Sequence, residues 1–216
     1  MTIILDIAKG LAYLHEECSQ RIVHLDIKPQ NILLDVNSRA KISGFELSKL
    51  IDKDQSQVVT TMRGNPGYLA PEFFSSIVTE KVDVYSFGMV VLEVVCGRKN
   101  LDRSQSSEYM HFLPLFMKKV EEERLIDVVD KYSEDMQLHW SEVMQMMRVA
   151  VWCLQNDFNK RPSMSTVVKV LEGTIDFEAS LTDVTVTTIT GVTEEQFGAS
   201  RATTSELSPS ILSGPR

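Results

Sequence analysis

Between Lys81 and Cys96 the residues Val82, Val84, Tyr85, Phe87, Met89, Val90, Val91, Leu92, Val94 and Val95 leave almost no polar face. A helix that is apolar on nearly every side has to be surrounded by other elements. The segment therefore predicts the central helix of a helical domain, and the other elements are read around it. Ile3, Ile4, Ile7, Leu11 and Leu14 recur at three- and four-residue steps and predict one more helix almost from the first residue. Tyr109 to Val120, Ser141 to Leu154 and Ser163 to Leu171 are further helical segments, the last opened by Pro162 and Ser163 as start signals.

Three short runs, Ile22 to Val23, Ile32 to Leu34 and Ala40 to Ile42, read as small strands, with Asp35 to Ser38 as a hairpin connection. From Gly44 to Glu72 periodicity fades, and Gly64, Pro66, Gly67 and Pro71 punctuate a long segment expected to be irregular. With 216 residues, 43% of them hydrophobic, one good core can be buried. The expected division is one domain over residues 1–173 and a tail over 174–216. In that tail 15 of the 43 residues are Ser or Thr, and six acids against two arginines leave a net charge of -4. Such a composition predicts disorder.

The formal net charge of -8 argues against nucleic acid and anionic membrane as partners. Cys18, Cys96 and Cys153 are odd in number and far apart, which suits buried free thiols better than a disulfide framework or a metal pair. No basic stretch leads into an apolar leader, and the longest apolar run is broken by Glu93, so the chain as written is expected to be cytoplasmic, without direct membrane insertion.

The chemistry is concentrated between the first two strands, in His24, Leu25, Asp26, Ile27, Lys28, Pro29, Gln30 and Asn31. Taken singly, Asp26 and Asn31 suit a turn and His24 suits a hydrogen-bonded core position. Taken together they have the spacing of a kinase catalytic loop. There an Asp carboxylate accepts the substrate hydroxyl proton, a Lys two residues on neutralises the moving phosphoryl group, and an Asn carbonyl ligates a metal. Ala70, Pro71 and Glu72, then Asp83, follow in the order such a chain requires. Asp83 also stands near a helix start, where a carboxylate can serve as a cap.

The chain resembles the intracellular kinase domain of plant receptor-like serine/threonine kinases of the S-receptor-like, G-type lectin class. The resemblance is carried by Ile7 to Cys18, Arg21 to Asp35, Gly64 to Phe73, Asp83 to Gly88, Arg98 to Asn100, Arg161 to Met164 and Leu212 to Arg216. It implies a protein-kinase-like fold, here the mainly α C-terminal lobe with short strands around the catalytic loop and without the N-terminal lobe. Asp26, Lys28 and Asn31 would be catalytic, with Asn31 also a metal ligand, and His24, Asp83, Glu72 and Arg161 structural. Asp83 would hold the catalytic-loop backbone, and Glu72 would pair with Arg161. ATP and magnesium are the implied cofactors, and a protein substrate or a partner kinase the implied partner. Full-length relatives are expected at the plasma membrane, with this domain facing the cytosol.

Several positions depart from that pattern. Thirteen residues after Asn31, where the resemblance places Asp-Phe-Gly, stand Gly44, Phe45 and Glu46. Glycine has no side chain to ligate a cation, and Glu46 would serve only in a rebuilt loop. No GxGxxG occurs in these 216 residues, nor a strand Lys with its helix Glu, so none of the N-lobe contacts to ATP is present. A bare apolar surface is expected where those elements would pack. Leu25 replaces the Arg that clamps a phosphorylated activation loop, which leaves phosphate on Thr60 or Thr61 without that partner. Asn65 stands where a Thr would link Asp26 and Lys28. Met144, Met146 and Met147 read as core filler, and Glu121 to Glu123 as a solvated acidic end.

Three functions follow from these residues. The favoured one is a kinase-like chain that is inactive or strongly impaired as written, with weak or absent ATP and magnesium binding. The second is a fragment of an active receptor-like serine/threonine kinase. The third is a non-catalytic interaction module phosphorylated by a partner kinase.

Overall fold

The apolar segment forms helix α2, Lys81–Cys96, and thirteen of its sixteen residues are buried, Asp83 and Ser86 among them. In the computed structural model, residues 1–52, 58–59, 65–75, 77–104, 110–122, 124–129 and 138–177 are described. Thr60, Thr61, Gly64, Tyr109, Glu123 and everything after Phe177 lie outside the described residues.

Helix α1, Thr2–Ala12, turns Ile4, Ile7, Ala8 and Leu11 inward. Its end widens by one residue per turn, so that the Cys18 amide reaches back five positions to the Tyr13 carbonyl at 3.1 Å. Strands β1 (Arg21–Val23), β2 (Ile32–Leu34), β3 (Ala40–Ile42) and β4 (Lys49–Ile51) follow, with β5 (Val58–Val59) and β6 (Ile77–Val78) further on. Helices α3 (Phe112–Glu121), α4 (Trp140–Cys153) and α5 (Met164–Leu171) complete the domain. The expected hairpin is present as β2 and β3, antiparallel with Ile32 opposite Ile42. Asp6 of α1 ties that hairpin down by accepting from Arg39 Nε (2.8 Å), Arg39 Nη2 (2.6 Å) and the Ala40 amide (3.1 Å). Those donors, the Arg39 guanidinium first, hold the Asp6 carboxyl below its usual range.

The expectation of an irregular chain from Gly44 to Glu72 is corrected. Lys49–Ile51 pairs with β1 in an antiparallel ladder, Arg21 opposite Ile51 and Val23 opposite Lys49, which brings the two ends of the segment 21–51 into one small sheet. A three-residue strand with one apolar residue buried, Ile51, has too short an alternation to be read in isolation. Helix α3 begins at Phe112, later than its apolar pattern suggested. Cys96 and Cys153 are buried, but Cys18 is only half-buried, because it lies beyond the end of the widened turn. Met146 and Met147 are core residues, and Glu122 is paired with Lys119 at 2.5 Å.

Helix α5 starts where its signals place it. Ser163 is the N-cap and accepts from the Thr166 amide at 3.2 Å. The packed chain continues past Gly173, and Phe177 sets its ring edge-on to Trp152 with centroids 5.5 Å apart. On the hairpin that follows Asn31, Leu33, Leu34 and Val36 are exposed at 56%, 55% and 100%.

Helices α2 and α4 cross at Gly88. A Cβ there would lie 2.9 Å from both Cys153 Cβ and Leu154 Cγ and 3.3 Å from the Ala150 carbonyl oxygen. Overpacking of that kind costs about 1–3 kcal/mol, against roughly 1 kcal/mol regained from alanine's helix propensity. Gly88→Ala is therefore expected to lower the urea midpoint despite the better helix former, and an unchanged or raised midpoint would contradict the close crossing. Burial pushes the Cys96 and Cys153 thiols up to about 12. At pH 8 a thiol reagent is expected to modify Cys18 in the folded chain and the other two only after denaturant is added.

Candidate active site

Asp83, the third residue of α2, is fully buried and receives three donors. The His24 amide reaches Oδ2 at 2.7 Å, the Leu25 amide reaches Oδ1 at 2.8 Å, and His15 Nε2 lies 2.9 Å from Oδ2. The capping position of α2 belongs to Glu80, so the carboxylate does not cap its own helix. Its position in the first turn still favours negative charge through the helix dipole. Leu25 needs this grip: it is a buried, non-glycine residue at φ 66°. Left-handed backbone at such a residue costs about 1–3 kcal/mol and persists only where the surroundings over-determine it. Two amide bonds to one buried carboxylate do so.

His24 is the next layer. Its Nε2 lies 3.0 Å from the Ser43 carbonyl oxygen, which can only accept, so Nε2 carries the proton and Nδ1 accepts the Asp26 amide at 3.3 Å. The Phe45 ring meets the imidazole edge-on at 4.8 Å. The strand end at Ser43 and the loop at Asp26 are thus joined through one buried ring.

The Asp26 side chain is 12% exposed. Its Oδ2 receives Lys28 Nζ at 2.6 Å and Asn31 Nδ2 at 2.9 Å, and the same Asn31 amide donates to the Asp26 carbonyl at 2.8 Å. Asp26, Lys28 and Asn31 therefore form one hydrogen-bonded cluster, with Asp26 Oδ1 not engaged among the described residues. Gly44 sits beside it at φ 79°, ψ 50°. Asn65 Oδ1 accepts the Gly67 amide at 3.2 Å in a local turn. Oxygen donors for a hard cation are sparse here. Gly44 offers no side-chain oxygen, Glu46 is exposed on the turn Phe45–Leu47, and no group of three or more His, Cys, Asp and Glu able to hold a metal ion occurs among the described residues. The cluster does not fit a magnesium ion held by two side-chain ligands.

Below the site, Arg161 is buried and spends its fork on five acceptors. Nη1 and Nη2 donate to the two Glu72 oxygens at 2.6 and 2.8 Å, Nη1 also to the Lys81 carbonyl at 2.9 Å, Nη2 to the Asn156 carbonyl at 3.4 Å, and Nε to the Gln155 carbonyl at 2.7 Å. Lys81 Nζ returns two bonds of 2.9 Å, to the Arg161 and Pro162 carbonyls, while its burial pulls its pKa down. Tyr85 lies under the guanidinium at 5.0 Å.

His15, Ser43 and Lys81 belong to this framework, and the motif does not name them. His15 carried a legible signal: it follows Leu11 by four residues and so falls on the apolar face of its helix, where a polar side chain calls for a buried partner.

Removing one member of a buried charged network costs about 3–5 kcal/mol. Asp83→Ala is expected to lose stability in that range and to free the His24 and Leu25 amides to hydrogen exchange. Equal protection of those amides in the variant would show that Asp83 does not hold them.

Residues 1–171 match the protein kinase domain. Over 172 residues the chain is 54% identical to the G-type lectin S-receptor-like serine/threonine-protein kinase SD2-5 of Arabidopsis thaliana, which covers 79% of this chain and 21% of that protein. It is 40% identical over 216 residues to G-type lectin S-receptor-like serine/threonine-protein kinase At1g34300 of the same plant, covering 99% of this chain and 25% of the relative. It is 43% identical over 180 residues to the probable receptor-like protein kinase At5g20050, covering 80% and 40%. The chain thus spans a minor part of each of these relatives, while the domain match runs over most of its own length: it belongs to the protein kinase domain family.

Proposed function

We propose that these residues form the C-terminal lobe of a plant receptor-like serine/threonine kinase, of the G-type lectin class, whose phosphoryl transfer is strongly impaired as the chain stands. The observation that carries this reading is the assembled cluster of Asp26, Lys28 and Asn31 beside a glycine at 44. In the family reaction the substrate hydroxyl oxygen bonds to the γ-phosphorus of ATP as the bond to the β–γ bridging oxygen breaks and ADP leaves. In this reading Asp26 Oδ1, the oxygen that Lys28 and Asn31 leave open, takes the hydroxyl proton. The Lys28 ammonium supplies positive charge within reach of the transferred group.

What the cluster lacks is a ligand at 44. Losing one transition-state-stabilising group of this kind costs about 3–4 kcal/mol, or roughly a hundred- to a thousand-fold in rate. These 216 residues also contain no glycine-rich phosphate loop, so they supply one side of a two-sided nucleotide site. Among the described residues no helix is long and apolar enough to cross a membrane.

The test is transfer from labelled ATP to a generic protein acceptor by the purified chain. No transfer above the level of Asp26→Ala is expected with magnesium present. Magnesium-dependent transfer that Asp26→Ala abolishes would overturn the reading.

One observation favours a second reading, a fragment of an active kinase: the chain covers only 21% of the relative to which it is 54% identical. The genomic DNA upstream of the codon for Met1 separates the two. An open frame encoding a glycine-rich loop and a strand Lys supports the fragment, and stop codons refute it.

A further inference from the structure

The composition of residues 174–216 predicts disorder, yet the chain stays packed for several residues beyond α5. It turns through Gly173, in left-handed backbone at φ 69°. Ile175 then packs against the core, and Phe177, 7% exposed, sets its ring on Trp152 of α4. A groove of about 510 Å³ opens between this stretch and the part of α4 from Trp140 to Arg148. Trp140, Met144 and Ile175 give it apolar walls. Met144, which its spacing with Met146 and Met147 would place in the core, is half-buried and lines the groove instead. The charged lining, Arg148 against Glu142 and Asp176, comes close to balance, so nothing here selects a highly charged occupant. Concave sites of this size with aromatic and aliphatic walls are the ones that ligands and chain segments fill.

We infer that the groove is a docking site for the chain's own residues 178–192, laid along α4 as an extended segment. Phe177 lines the groove, so the next residues leave from the site itself and bind at the high effective concentration of a short tether. From Trp140 to Arg148 the helix rises about 12 Å, and four to seven residues of extended chain reach about 13–23 Å. Leu181 and Val184, four and seven positions past Phe177, therefore come within reach of its whole length. Of the fifteen residues from Glu178 to Val192, six are apolar and only Glu178 and Asp183 are charged, which matches apolar walls close to charge balance. The 24 residues after Val192 carry six apolar side chains and five charges, a poorer match. Val184 to Ile189 is β-branched at every position, which favours extended backbone over helix. The groove shares no residue with the cluster at Asp26, so the docking stands or falls independently of phosphoryl transfer.

The test uses the full chain labelled with 5-fluorotryptophan, in which Trp140 and Trp152, the two tryptophans of the sequence, give one fluorine resonance each. Trp140 reports on the groove, and Trp152, held against Phe177, on the surrounding fold. The pair Leu181→Asp and Val184→Asp is expected to shift the Trp140 resonance and leave that of Trp152 in place. The pair Ile211→Asp and Leu212→Asp, at the far end of the chain, is expected to move neither. In the unaltered chain the amides of 178–192 are expected to exchange at least about tenfold more slowly than those of 200–216, each relative to its unstructured rate. That exchange comparison needs no variant, so it decides even if a substitution disturbs folding. An unmoved Trp140 resonance, or equal exchange in the two stretches, overturns the inference. A Trp140 shift that disappears on dilution overturns it too, because the occupant is then a second copy of the chain.

Discussion

A buried carboxylate with three donors is the point from which the rest of the site is suspended. Asp83 projects from the most buried helix of the domain and takes the amides of His24 and Leu25, the second of which stands in left-handed backbone. Without that charge the loop would relax toward a lower-energy backbone, and the Asp26 amide would lose its seat on the His24 ring. His15, in the widened turn that ends α1, shares Oδ2 of that carboxylate with the His24 amide. The direction of Asp26 is therefore set by three successive layers of hydrogen bonds that begin in the core.

Asp83 is in turn only as well placed as the first turn of α2, and that turn is held by Arg161. One guanidinium joins Glu72 in the short helical turn Pro71–Ser75, the Lys81 carbonyl at the start of α2, and the Gln155 and Asn156 carbonyls before α5. Such a fork would be costly to bury unpaired, and here each of its three nitrogens has a partner. The Lys81 ammonium closes the circuit by binding two carbonyls beside Arg161. The turn that carries Glu72, the central helix and the start of the last helix are thereby tied at one place.

Much of this was legible because the determining patterns are local. The all-round apolar run of α2, the Ser163 cap of α5 and the β2–β3 hairpin are each contained within a few consecutive turns of chain. Strand β4 was not legible, since its three residues become a strand only through pairing with β1, some thirty positions earlier. The half-exposure of Cys18 depends on where a widened turn ends, which apolar periodicity does not encode. Residue identities were enough to single out Asp26, Lys28, Asn31 and Gly44. That Asn31 fills the space beside Gly44 depends on how two hairpin ends approach each other, and glycine leaves no sign in a sequence of what occupies the room it vacates.

The Arg161 fork also has a consequence for the order in which the molecule can be made. Glu72 precedes Arg161 by 89 residues, and the loop 24–31 lies farther upstream still. At ordinary elongation rates a ribosome needs on the order of ten seconds to add that many residues. Throughout that interval the Glu72 carboxylate and, once it is made, the first turn of α2 are without the cation that anchors them. The early helices and hairpins can form locally in that time, but the loop 24–31 gains its full support only once the last helix begins to emerge, so a nascent chain stalled before Arg161 would present the motif without the means to hold it.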